Sequence, residues 1–360
     1  MNKIRFVFGM NKIHNFSAGP AILPKETIQN SVRAIQDFSG TGLSLLEISH
    51  RSPQFVEVVE EAVHTIIEIF GLSEKYEVLF LQGGASTQFL MVAYNMLETE
   101  AAYLDTGSWS SKAIEEAKLF GKVQVVASSK EDNYNFIPKK YEISSNANYF
   151  HCTSNNTIFG TQMHDFPKIE VPMICDMSSD ILSRQIDINR FGLVYAGAQK
   201  NMGPAGVTMV IVDKNLLGKV GRKIPTMIDY RTHIKKGSMF NTPPVFSIYA
   251  TLQTLKWVKK NGGLNEMGKR NTLKASMLYE EIDKNPLFEG TAKKEDRSKM
   301  NATFILKDQS KNESFLLACQ EANISGIKGH RSVGGFRASM YNALEIESIE
   351  ALINVMQTFQ

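Results

Sequence analysis

The sequence predicts an α/β fold, with a large domain built on a mostly parallel sheet and a smaller C-terminal α+β domain. Three observations carry this. Short apolar runs alternate with helix-like segments through the first two thirds of the chain. One of those runs leads into a glycine pair and then a helical pattern, the strand–turn–helix order of such folds. Finally, Asn261-Gly262-Gly263 breaks a long helical stretch, and the pattern beyond it changes. A chain of 360 residues accommodates one large domain or two unequal ones.

Taken in order, residues 1–15 read as an extension, and a second MNKI at Met10 marks the first nine residues as either a mis-called start or a dispensable extension. The run FVFGM is too short for a signal-peptide core. A helix opens at Ser52, a cap, and Pro53, which suits a first turn. Phe55, Val58, Val59, Ala62, Ile66, Ile69 and Phe70 form its apolar face before Gly71 stops it. Strands are expected at VLFL (78–81), YFHC (149–152), VPMIC (171–175), LVYAGA (193–198) and VTMVIV (207–212). A long helix then runs from about Pro244 to Lys260. The boundary placed there gives domains 16–262 and 263–360. Beyond it follow a helix near 264–283, the charged loop KKEDRSK, a strand ATFIL, a helix around SFLLACQEA and a closing helix from about 343 to 358.

Composition narrows the function classes. With 43% hydrophobic residues, 21% charged residues and a net charge of +3, the chain is neither disordered nor polyanion-seeking. It carries no helix-turn-helix or basic arm for nucleic acid and no apolar run of about 18 residues for a membrane. Cys152, Cys175 and Cys319 are too scattered for a zinc site or a disulfide framework. They read as buried free thiols of a cytoplasmic protein, and no metal is expected.

Chemistry concentrates at two strand ends. Asp176 ends VPMIC and Lys200 follows LVYAGA 24 residues later, about one crossover between neighbouring strands. Acid and amine then meet at the carboxyl edge of the sheet, where open α/β folds gather ligands. GGASTQ (83–88) offers backbone N–H groups and a helix dipole to a phosphate, without the Walker lysine or the dinucleotide glycine spacing. Gln199, Asn241 and Thr242 supply further donors, and Trp109 in DTGSWS reads as an exposed aromatic able to stack on a ring. A lysine, an acid, a phosphate cradle and an aromatic lid together fit pyridoxal 5'-phosphate. The lysine forms an imine with the aldehyde, and Asp176 keeps the pyridine nitrogen protonated.

EISHRS (47–52), GGAS (83–86), TGSW (106–109), YAGAQKNMGPAG (195–206), MFNTPP (239–244) and GHRSVGGFRASMYNA (329–343) resemble the phosphoserine aminotransferase family. That family belongs to the class V aminotransferases, among the fold-type-I pyridoxal phosphate enzymes, and the likeness runs from about Asn15 to the C-terminus. It implies a homodimer with active sites at the interface. It also implies transfer of the amino group of L-glutamate to 3-phosphohydroxypyruvate, giving 2-oxoglutarate and O-phospho-L-serine, in serine biosynthesis, with pyridoxine biosynthesis as a second pathway. Serine- or alanine-glyoxylate aminotransferases of the same superfamily are the alternative.

By the same resemblance Lys200 is the imine lysine, Asp176 pairs with the pyridine nitrogen and Trp109 covers the ring. Thr157 sits near the ring hydroxyl, Ala85, Ser86 and Gln199 hold the phosphate, and Asn241 with Thr242 reach it from the partner subunit. Both substrates carry two anions, which suits arginine's fixed fork. The likeness assigns Arg337 to the α-carboxylate and His50, Arg51, His330 and Arg331, in part from the partner, to the distal anion. Two departures stand out. Ser86 occupies a turn where some relatives carry arginine, and Asn156 stands where an acid commonly precedes Thr157.

Overall fold

The protein is described from a computed structural model, which covers residues 12–360. The proposed dispensable start, residues 1–9, lies outside the described residues. The chain opens with β1 (His14–Asn15), α1 (Lys25–Gln36) and α2 (Pro53–Phe70). Helix α2 buries the expected face at Phe55, Val58, Val59, Ala62, Ile66 and Phe70, leaves Ile69 partly buried, and stops at Gly71 in the left-handed region (φ 59°). Pro53 does occupy its first turn. Ser52 stands at the cap position but its hydroxyl bonds nothing, so the cap by side chain is not realised.

Next come β2 (Tyr76–Leu81), α3 (Gly84–Met96), β3 (Glu100–Asp105), α4 (Ser108–Ala117) and β4 (Lys122–Ser128). They are followed by β5 (Phe150–Thr153), the small hairpin β6 (Asn155–Asn156) and β7 (Thr161–Gln162), β8 (Met173–Asp176), β9 (Leu193–Gly197) and β10 (Thr208–Asp213). Seven of these strands form one sheet in the order β2-β10-β9-β8-β5-β3-β4. All run the same way except β10, which is antiparallel to both β9 and β2. The reason is length. Only residues 198–207 join β9 to β10, fewer than the dozen or so that a parallel crossover requires.

Alternating residues of each strand feed two cores, as a sheet covered on both faces requires. Val78 and Phe80 of β2 and Met209 and Ile211 of β10 enter one. Leu79, Leu81, Val210 and Val212 enter the other, with α3 and α4 packed over them. Short α5 (Tyr230–Lys235) and long α6 (Val245–Lys260) complete this unit, α6 packing on α1 and α2.

A second unit holds α7 (Gly263–Lys284), β11 (Phe288–Gly290), β12 (Asn301–Leu306), α8 (Asn312–Glu321), β13 (Ile324–Ser325), β14 (Phe336–Ser339) and α9 (Ile346–Thr358). Strands β11, β12 and β14 make an antiparallel sheet around a phenylalanine cluster of Phe288, Phe304, Phe315 and Phe336. We propose the domain boundary at 262/263 on this division of cores, although Leu264 and Met267 at the start of α7 still pack into the first. The N-terminal segment belongs with the second unit. Strand β1 pairs in parallel with β13, and Phe16 is fully buried in the phenylalanine core.

Candidate active site

Five strands of the large sheet, β2, β3, β5, β8 and β9, point their carboxyl ends to the same edge. From them issue the GGAS turn, Trp109, Thr157, Asp176 and Lys200 in turn. Scattered motifs thus become neighbours because parallel strands share an edge. Asp176 closes β8 directly beside Tyr195 of β9, so the acid and the lysine leave adjacent strands.

Lys200 Nζ donates to Thr157 Oγ1 at 2.9 Å and lies 5.8 Å from the centre of the Trp109 ring. The side chain keeps some solvent access. Burial nevertheless pulls its ammonium down to about 8, against the attraction of Asp176 and Asp180 and aided by the positive charge of Arg337. Asp176 moves the other way: burial raises it, while Lys200 and a 2.9 Å bond from the Ser178 N–H hold it back. Arg337, on β14, donates to the Thr157 carbonyl at 3.4 Å, and its Nε is buried without a partner. Lys200 and Arg337 therefore converge on Thr157 from the two units of the chain, and the charge of Asp176 acts on Lys200.

Helix α3 begins with Gly83 at φ 93°, and no side chain caps it. Its first N–H groups, those of Ala85 and Ser86 included, have no acceptor within the helix, which leaves them open to an anion. A Cβ on Gly83 would stand 2.1 Å from Thr87 Oγ1, so only glycine permits the turn. Trp109 corrects the reading of an exposed aromatic. It is half-buried at the start of α4, with its Nε1 buried and unpartnered, and the Lys112 ammonium lies 4.7 Å from its ring centre. Gln199 turns its side chain back over Gly197, where a Cβ would be 2.6 Å from Gln199 Oε1.

His330 and Arg331 sit in the turn before β14. Burial first, then the charges of Arg337, Arg331 and Lys112, lower the His330 pKa, so these cations do form one group. His50 is buried with Nε2 unpartnered, Arg51 is exposed, and no hydrogen bond or ion pair among the described residues joins either to that group. Asn241 lines a small pocket with Gln82, Gly83 and Thr87, and the Thr242 carbonyl accepts from Gln82 Nε2 at 2.8 Å.

Two features escape sequence reasoning. The loop Ser17–Pro20 lies against the lysine: a Cβ on Gly19 would be 3.3 Å from Lys200 Cγ, Ala21 N–H donates to the Gln199 carbonyl, and Tyr341 Oη donates to the Ala18 carbonyl. Its only local signal is the Gly-Pro pair. Asp180, fully buried, accepts from Ser154 Oγ and, at 3.0 Å, from Gln162 Nε2, and adds a second negative charge near Lys200. Nothing in SSD distinguishes a buried acid from a surface one.

The pattern described as Aminotransferase class-V matches residues 13–352. The chain belongs to the class-V aminotransferase family. A phosphoserine aminotransferase of Flavobacterium psychrophilum is 60% identical over 352 residues, covering 97% of this chain and 99% of the relative. Among solved structures, the phosphoserine aminotransferase of Bacillus circulans subsp. alkalophilus superimposes with a TM-score of 0.94 at 46% identity, covering 97% of this chain and 98% of that one. The pyridoxal phosphate-bound phosphoserine aminotransferase of Trichomonas vaginalis gives a TM-score of 0.92 at 37% identity, with coverages of 96% and 100%. The cofactor of this class-V aminotransferase is pyridoxal 5'-phosphate, and the fold is type I.

The residues present fit that cofactor. An uncapped glycine-led helix suits its phosphate, a half-buried lysine with a lowered pKa suits its aldehyde, and Asp176 suits a protonated ring nitrogen. No helix among the described residues is long and apolar enough to cross a membrane.

Proposed function

We propose that the chain is a phosphoserine aminotransferase that moves the amino group of L-glutamate to 3-phosphohydroxypyruvate, releasing 2-oxoglutarate and O-phospho-L-serine. The observation that carries this reading is the convergence of Lys200 and Arg337 at Thr157, with the charge of Asp176 acting on Lys200. Pyridoxal 5'-phosphate supplies an aldehyde that takes an amine covalently and a ring that draws off the electrons left at Cα. The protein's residues do the rest. Asp176, whose negative charge Lys200 and the Ser178 N–H hold against the opposing effect of burial, would place that charge at the ring nitrogen. Lys200 Nζ, as the free amine, would take a proton from Cα. An ammonium cannot do this, so the burial that pulls Nζ toward about 8 favours the working form. Trp109 covers the ring, Thr157 anchors Nζ, and the α3 terminus with Ala85, Ser86 and Gln199 binds the phosphate.

Arg337 grips the α-carboxylate common to both substrates, and its unpartnered Nε is a donor held ready for it. His330 and Arg331, with His50 and Arg51, receive the distal phosphate or carboxylate. Since no hydrogen bond or ion pair among the described residues joins His50 or Arg51 to His330, a homodimer that brings them together is part of the proposal. Asn241 and Thr242 then meet the phosphate across the interface. Three buried free thiols favour a reducing, cytoplasmic setting.

Steady-state assays with glutamate as donor test the substrate. Turnover with 3-phosphohydroxypyruvate should exceed turnover with glyoxylate, and inorganic phosphate should compete with the former alone. Preference for glyoxylate refutes the assignment of the distal cluster.

A further inference from the structure

Away from Lys200, a cleft of about 800 Å³ separates the loop after β8 from helix α7 and from the residue pair that leads into β12. Three cations line it: Arg184 from the loop, Lys269 from α7 and Lys299 before β12. No carboxylate lines it among the described residues. Lys299 has no salt-bridge partner among the described residues. It donates to Thr272 Oγ1 at 3.1 Å, and burial followed by the Arg184 charge lowers its pKa. Arg184 is 3.8 Å from the buried Asp180, which already accepts two other bonds, and Lys269 is 3.8 Å from Glu266, which does not line the cleft.

The donors are also incompletely used. Arg184 Nε and Ser183 Oγ are buried without partners. Both terminal nitrogens of Arg184 are spent on the carbonyls of His164 and Met163. Its planar fork is thus unavailable for two-way pairing with a carboxylate. What remains is a set of separated point donors, two ammonium groups and hydroxyls at Thr272 and Ser276, while Arg184 Nε and Ser183 Oγ are buried. Separated donors suit a tetrahedral anion with several oxygens better than a flat one.

We propose that this cleft is a second anion site, taking a phosphate group, free or carried by a small phosphorylated molecule. It does not depend on the reaction assigned to Lys200. A phosphate there neutralises the repulsion between Arg184 and Lys299 and ties the loop of the large unit to α7 and β12 of the second. The Gln162 amide, which bonds Asp180 at 3.0 Å and also lines the cleft, connects the site to the charge behind Lys200.

Holoenzyme crystals soaked in tungstate, a tetrahedral phosphate mimic, test this directly. An anomalous peak between Arg184 and Lys299 is expected, and Lys299→Gln crystals, whose fold the same data verify, should lack it. In solution, the melting temperature is followed against inorganic phosphate and against glycerol 1-phosphate, each balanced with sodium chloride of equal ionic strength. The titrations use an Arg331→Gln background, which weakens phosphate binding at the distal cluster near Lys200. Lys299→Gln should raise the half-saturating concentration by about tenfold or more, the scale of one charge-assisted hydrogen bond. Saturation by the monoester at the lower concentration identifies a phosphorylated metabolite, and by inorganic phosphate the free ion. Absence of the peak, or an unchanged half-saturation in Lys299→Gln, overturns the proposal.

Discussion

Two lysines of this chain, Lys200 and Lys274, share a physical predicament and resolve it differently. Burial pulls both below the ordinary lysine value, Lys200 to about 8 and Lys274 to about 7. Lys274, 1% exposed on α7, spends its three donors on three backbone carbonyls, those of Met340, Tyr341 and Leu344, at 2.9, 2.7 and 3.1 Å. It pins the turn that follows β14, the strand of Arg337. Lys200 has one hydrogen bond, to Thr157, and keeps solvent access beside an acid and an arginine. A depressed pKa therefore does not mark the reactive lysine. Spare bonding capacity at a strand end facing a cleft does, whereas a saturated ammonium is a structural clamp.

Exchanging the two roles by mutation gives the sharpest contrast. Lys200→Ala should lower turnover by more than about 10³-fold, the scale of losing a positioned proton carrier, while the melting temperature stays close to that of the parent. Near-normal turnover would make Lys200 another clamp. Lys274→Met should show the converse. It leaves three buried carbonyls without donors, costs about 3 kcal/mol or more in urea unfolding, and spares turnover of the folded fraction. An unchanged urea midpoint would erase the distinction between the two lysines.

Smaller effects test the surroundings of Lys200. Arg337→Gln should reduce kcat/KM about ten- to a hundredfold for glutamate and for phosphoserine alike, since both present an α-carboxylate. A loss confined to phosphoserine would place Arg337 at the distal anion instead. The pH profile is subtler. In cofactor-free protein only the unprotonated amine captures pyridoxal phosphate, and Lys200 is lowered from 10.5 to about 8. The capture rate should therefore climb with pH up to about 8 and level off above it. A climb continuing toward 10.5 would show an unperturbed, solvated amine.

How much of this could be read in advance depends on whether the signal is local. Helix α2 was legible because its apolar spacing and Pro53 and Gly71 are neighbours in sequence, and α6 because Asn261-Gly262-Gly263 ends it. The GGAS turn and the strand ends at Asp176 and Lys200 were legible for the same reason, and the shared edge of a parallel sheet then brought them together. The antiparallel direction of β10 was not, since it follows from the short 198–207 connection that also carries Lys200.

Lys274 carried no signal at all. In GKRNTLKASM it looks like one more solvated cation on a helix, and only the fold of residues 340–344 around it turns it inward. The Ser17–Pro20 loop and Asp180 were missed for a related cause. Each owes its place to a contact across more than a hundred residues or to burial without periodicity, which spacing does not encode.

The visible absorption spectrum of the purified holoenzyme tests the central claim most directly. Attachment of the cofactor at Lys200 predicts a yellow band that L-glutamate alone bleaches and 3-phosphohydroxypyruvate then restores. A band indifferent to glutamate, or a protein that stays colourless with pyridoxal phosphate in excess, would contradict amino transfer at this lysine.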